Sequence, residues 1–320
     1  MKTIIKFWYG FVLIYAIAIT ALVVNKYVVP HKTEPVAQST PETPPAVQPT
    51  PPAPPPDIHL APATYHSYKQ VVAQLNQWHK EAPELTEVAA YGDDVYYIHL
   101  TNHTNQPKVV ISAAIHANEV LSSMLNLQLA GEILKNHQDL LKTREIYFIP
   151  VFSPKSYPNE REVYGVDPNR NFPDPFVKNT PVPNVRGFCD FIQSIKPKAY
   201  ISMHSFGRVL LTPWGDTDFP NPNHKDYLRI VQAMMKLNGY RTMRICENYG
   251  HPIYGVEADW CHRQGVFSII METGTHMGVP QDEEIEEELH RTLDSVILFI
   301  QQAPDVVIKQ PETCPLPAEY

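Results

Sequence analysis

The sequence predicts an α/β fold: one layered domain with a mixed, mostly parallel central sheet flanked by helices, following an N-terminal transmembrane helix and a proline-rich linker. Short apolar runs at 109–115, 146–152, 199–203 and 266–271 read as buried strands, since unbroken runs of this length suit a strand covered on both faces. Helix-period patterns lie between them. Leu121, Met124, Leu125, Leu129 and Ile133 share one helical face, and similar patterns cover about 185–195, 224–237 and 283–300. Strands alternating with helices define a layered α/β domain, in which chemistry gathers at strand ends.

The 320 residues are 43% apolar and 10% aromatic, enough to bury a real core. A net charge of -8 without a long Lys/Arg run argues against nucleic acid as a partner. The four cysteines include no C-x-x-C pair, so neither a cysteine-based metal module nor a disulfide-dense scaffold fits. From Phe7 to Val24 no residue is charged, a run long enough to span a bilayer. Ala16-Ile17-Ala18 lies inside that run, so residues 1–29 are read as an uncleaved membrane anchor. Twelve prolines between Pro30 and Pro62 make 30–62 an extended, disordered spacer. The catalytic domain is placed at 63–303 and a tail at 304–320. This layout leads to the expectation of a membrane-anchored protein whose domain lies outside the cytoplasm, in a periplasm or at a cell surface.

Polar residues end the apolar runs. His116-Ala117-Asn118-Glu119 follows the first strand, and His204 ends a later one. A His and a Glu three apart, astride a strand end and a helix start, can turn to one point that a distant His completes. Two imidazoles, one carboxylate and an open fourth position form a usual catalytic zinc arrangement. Either histidine alone reads more readily as a satisfied surface or core residue. Between them stands Val166-Asp167-Pro168-Asn169-Arg170-Asn171-Phe172, and Met271-Glu272-Thr273-Gly274 ends the last strand.

On these four ordered motifs, from about Tyr65 to Phe299, the sequence resembles the zinc metallocarboxypeptidases, the M14 or funnelin family, in a membrane-tethered bacterial-type form. The resemblance implies a single Zn2+ held by His116, Glu119 and His204, with Glu272 as general base and acid. It further implies that Asn169 and Arg170 grip the free C-terminal carboxylate of a peptide, a task that suits a planar guanidinium. Arg161 falls where the family has an arginine polarising the scissile carbonyl, although Ser153-Pro154-Lys155-Ser156 replaces the usual turn before it. Tyr254 resembles the mobile tyrosine that closes over the bound carboxylate. Ala258 aligns with the base of the specificity pocket with Glu257 beside it, and Phe206 stands where a tyrosine is common. A salt bridge to Asp167 is the structural alternative for Arg170, and core packing the alternative for Phe206.

The implied function is hydrolysis of the C-terminal residue of peptides, cell-wall muropeptides among them because a tether and spacer suit a fixed substrate. Two alternatives are a zinc amidohydrolase of the related aminoacylase branch and a non-catalytic tethered binding module.

Overall fold

In a computed structural model of the protein, residues 56–215 and 221–309 are described. An eight-stranded sheet forms the centre: β1 (Thr86–Tyr91), β2 (Val95–Leu100), β3 (Lys108–Ala113), β4 (Glu145–Ile149), β5 (Ala199–Ser205), β6 (Val209–Thr212), β7 (Arg241–Arg244) and β8 (Phe267–Thr273). Their spatial order is β1-β2-β4-β3-β5-β8-β6-β7. The inner pairs β4/β3, β3/β5 and β5/β8 are parallel, as is β6/β7, whereas β1/β2, β2/β4 and β6/β8 are antiparallel.

The apolar runs of the inner strands serve two layers at once. Val109, Ile111, Ile146, Phe148 and Ile201 face one core; Val110, Tyr147, Ile149 and Tyr200 face the other, as the alternation of strand side chains requires. Helices α1 (Tyr68–Glu81), α2 (Val120–Asn136), α4 (His224–Asn238) and α7 (Asp282–Gln302) contribute to the first core. Helices α3 (Pro183–Ile195) and α6 (Glu257–Arg263) close the second with Phe188, Phe191, Trp260 and Cys261, and α5 is the short helix Ile245–Tyr249. Ile58 and Ala61 also belong to the first core. Cys189, Cys246 and Cys261 are free thiols among the described residues.

The expected transmembrane helix, and the spacer up to residue 55, lie outside the described residues. Among those described, no helix is long and apolar enough to cross a membrane. The longest, α7 with 21 residues, opens on Asp282, Glu283 and Glu284 and buries only one side; α2, buried along almost its whole length, has 17. The fold is therefore corrected to an α/β domain with a mixed sheet and no membrane-spanning helix among these residues. The membrane tether, the membrane as a partner and the extracytoplasmic placement rested on that helix and are withdrawn.

Parallel pairing positions the site. Strands β3, β5 and β8 run side by side with Ala113 opposite Met203 and Met203 opposite Met271, so their carboxyl ends open on one edge. His204 of β5 is the direct partner of Glu272 of β8.

Candidate active site

His116 leaves the end of β3 through a turn in which Ala114 has φ 49°. The Ser122 hydroxyl braces that turn, accepting from the Ala114 N–H and donating to the Glu119 carbonyl at the start of α2. This brings His116 and Glu119 onto His204 from the neighbouring strand. The His116 Nδ1 lies 2.6 Å from Glu119 Oε1, and the His204 Nδ1 lies 2.9 Å from Glu119 Oε2. All three residues are buried, with one ligand atom of each within 4.8 Å of the others, the one such group among the described residues. The Ser205 N–H also donates to Glu119 Oε2.

The outer ring nitrogens are engaged as well. His116 Nε2 is 2.9 Å from Asp167 Oδ1, and His204 Nε2 is 2.9 Å from Glu257 Oε1. Each ring thus stands between two carboxylates, Glu119 on its Nδ1 side and Asp167 or Glu257 on its Nε2 side; with a metal bound at Nδ1, the outer carboxylate would hold Nε2 as the donor. Burial alone would raise the Glu119 carboxyl, yet the His204 and His116 rings hold it below the usual carboxylate range. Burial likewise opposes ionisation of Asp167, but His116 and Arg161 hold it well below its ordinary value.

The donor set fits zinc: two imidazole nitrogens and one carboxylate, with room for a further ligand. Its electrostatics fit too. Three carboxyl groups, those of Glu119, Asp167 and Glu257, surround the two rings, and Glu257 Oε2 is buried without a hydrogen-bond partner. A divalent cation between the rings would complement this acidic group, beside the Arg161 guanidinium that already pairs with Asp167.

Glu272 is 8% exposed, and burial pushes its carboxyl up to about 7 against the opposing pull of His204. Arg161 donates from Nη2 to Asp167 Oδ2 at 2.9 Å and stands 3.8 Å from Glu119 Oε1 while half-exposed, so it belongs to the rim of the site. Asn169 is buried; its Oδ1 accepts from the Glu257 N–H at 3.1 Å, and its Nδ2 is 3.4 Å from His204 Nε2. Asp167 caps the turn Pro168–Arg170 by accepting from the Asn169 N–H.

Arg170 does not form the salt bridge with Asp167 considered from sequence. Its Nη1 donates to the Asn169 carbonyl and its guanidinium lies 5.0 Å from the centre of the Tyr249 ring. Tyr254 is half-buried, its ring 5.7 Å from that of Phe176. Ala258 is buried with Ile253 and Val256 in a small apolar cluster. Phe206 is 52% exposed, so core packing does not account for it.

Sequence reasoning missed the roles of Asp167 and Glu257 against the two rings. The first was within reach, as the opening residue of the motif that carries Asn169 and Arg170. Nothing in the local sequence around Glu257 marks it, because its partner is 53 positions away.

Fold and site together define a metal-dependent hydrolase built at the strand ends of an α/β sheet. A family model described as zinc carboxypeptidase, Peptidase_M14, matches residues 68–295, and the chain belongs to that family. Human carboxypeptidase O is 26% identical over 254 residues, spanning 63% of this chain and 68% of that one. Two solved structures share the fold. Carboxypeptidase A from Helicoverpa armigera has a TM-score of 0.68 at 18% identity, covering 77% of this chain and 75% of its own. Bovine thrombin-activatable fibrinolysis inhibitor, in complex with tick carboxypeptidase inhibitor, has a TM-score of 0.66 at 19% identity, covering 75% and 98%. The protein is a zinc-dependent carboxypeptidase. The tethered, bacterial-type grouping expected from sequence is corrected to membership of the family alone, since no membrane-spanning helix occurs among the described residues and the comparisons give that grouping no support.

Proposed function

We propose that the protein removes the C-terminal residue of peptides bearing a free α-carboxylate, with Glu272 as proton acceptor and donor. The observation that supports this reading most is the register of β5 and β8, in which Glu272 is the direct partner of His204. The chemistry zinc supplies at such a site is Lewis acidity toward a water molecule and the scissile carbonyl. Glu272, its carboxyl raised toward neutrality, accepts a proton from the attacking water and passes it to the leaving amine nitrogen. Arg161 donates from the rim to the oxygen that gains charge on the scissile carbonyl. Asn169 and Arg170 hold the terminal carboxylate, Tyr254 covers it, and Ala258 lies at the base of the side-chain pocket. The catalytic unit is the 63–303 segment, with Ile58 and Ala61 of the preceding stretch packed into its core.

A complete set of ligands, base and carboxylate-binding residues argues against a non-catalytic module, and the carboxylate grip favours a peptidase over an aminoacylase. Muropeptides, which a tether and proline spacer would suit, remain one class of free-acid peptide but lose the support of the tether. The test is to compare hydrolysis of free-acid and C-terminally amidated versions of one peptide. Amidation leaves the guanidinium facing a neutral group, so amidated peptides are expected to be poor substrates. Arg170→Ala is expected to lower kcat/KM for the free acid by on the order of 10²-fold, as loss of a charged contact of about 3 kcal/mol implies. It should also abolish the distinction between the two peptides. Efficient cleavage of amidated peptides by the native protein would sink the exopeptidase reading.

A further inference from the structure

Glu257 does more than line the neighbourhood of the specificity pocket. It sits at the start of α6, is fully buried, and points its carboxylate away from solvent onto the outer nitrogen of His204 at 2.9 Å. Its backbone N–H is held by Asn169 Oδ1, so its position is tied to the motif that contains the substrate-carboxylate residues. The other carboxylate oxygen, Oε2, has no partner. Such a group is costly to bury unless a cation nearby balances it. The His204 ring links it to one place for a cation, because the other ring nitrogen faces Glu119 in the metal-binding group.

We propose that Glu257 is a positioning residue for the zinc ligand His204, matching on this side what Asp167 does for His116. The carboxylate accepts a hydrogen bond from the Nε2–H and so fixes the tautomer that frees Nδ1 for the metal. Through the Asn169 contact it also couples the orientation of His204 to the residue that holds the substrate. A carboxylate turned toward a cationic substrate side chain would need access to the pocket, and Glu257 is 0% exposed.

This inference rests on zinc occupying the site of His116, Glu119 and His204. The experiment measures zinc affinity of the full-length protein by competition with a chromophoric chelator, for the wild type, Glu257→Gln and Asp167→Asn. Thermal melts of the metal-free forms run alongside. Loss of such an outer partner is expected to weaken zinc binding 10- to 100-fold. Glu257→Gln should show that loss while its metal-free form melts close to the wild type, and its cobalt-substituted form should have an altered visible spectrum. If the wild type holds no zinc, the metal reading itself fails. Zinc affinity unchanged in Glu257→Gln, with only the metal-free melting temperature lowered, would overturn the positioning role. So would unchanged affinity with an altered preference between lysine- and leucine-terminated peptides. Should Glu257→Gln not fold, long-range ¹H–¹⁵N NMR of the zinc-loaded wild type decides the matter: His204 is expected protonated at Nε2, and protonation at Nδ1 would refute the proposal.

Discussion

In the proposed mechanism a single carboxylate, Glu272, accepts a proton and gives it back, and its surroundings suit both tasks. Burial raises its affinity for a proton, while its strand neighbour His204 keeps that affinity within reach of neutrality. Glu272→Gln preserves shape and removes only the proton acceptor. It is expected to keep its full zinc content by metal analysis while kcat falls by about 10²- to 10⁴-fold, the usual worth of general-base catalysis. Turnover near the wild-type value would mean that another group takes the proton. The metal set was legible in the sequence because His116 and His204 end apolar runs and Glu119 stands three residues after His116; Glu272 ends another such run. Asp167 and Glu257 were not legible as partners of the rings, since their contacts span 51 and 53 positions and follow only from how the loops fold over the strand ends.

Among the elements, the inner strands were legible because both their faces are buried, which leaves unbroken apolar runs. The outer strands carry no such signature: β1 buries only Thr86, and β7 has no fully buried position. The loop carrying Tyr254 was equally opaque, and its placement depends on Gly255. That residue has φ +69°, and an added Cβ would stand 2.5 Å from the Arg170 carbonyl oxygen and 2.8 Å from Asn179 Nδ2. The Gly255 N–H is held by Asp174 and its carbonyl accepts from the Phe172 N–H, so the loop is clamped along residues 170–174. Gly255→Ala has to move either the Tyr254 loop or the Arg170 segment. A displacement of about 1 Å at positioning residues can cost on the order of 10²-fold in rate. The variant is expected to lose kcat/KM for free-acid peptides on that scale and to retain zinc, because the ligands come from other strand ends. Unchanged kinetics would show that neither Arg170 nor Tyr254 depends on this close approach.

For the molecule as a whole, α6 and its neighbours make stability respond to pH in two opposing ways. His262, packed edge-on against Trp214 and 2.7 Å from the Tyr227 hydroxyl, is lowered to about 3 by burial and by Arg263. A depressed histidine is neutral in the fold but protonated in the unfolded chain below about 6.5, so its contribution is full above that value and is lost as pH falls toward 3. Asp259, one turn earlier, is raised to about 7 by burial and by the Asp174 and Glu257 charges, with Arg263 and the Gly215 N–H opposing. A raised carboxyl contributes fully below the unfolded value of about 3.9, and that contribution disappears as pH rises through 7. Between about pH 4 and 6.5 the two slopes, each at most about 1.4 kcal/mol per pH unit, therefore oppose one another. Denaturant unfolding of the wild type, His262→Gln and Asp259→Asn across pH 4–8 separates them, since any loss of zinc at low pH is common to all three and cancels in the differences. His262→Gln is expected to gain on the wild type as pH falls, and Asp259→Asn to gain as pH rises. Curves that stay parallel to the wild type would mean that neither group changes its protonation on unfolding, and that the pH response of the fold lies elsewhere.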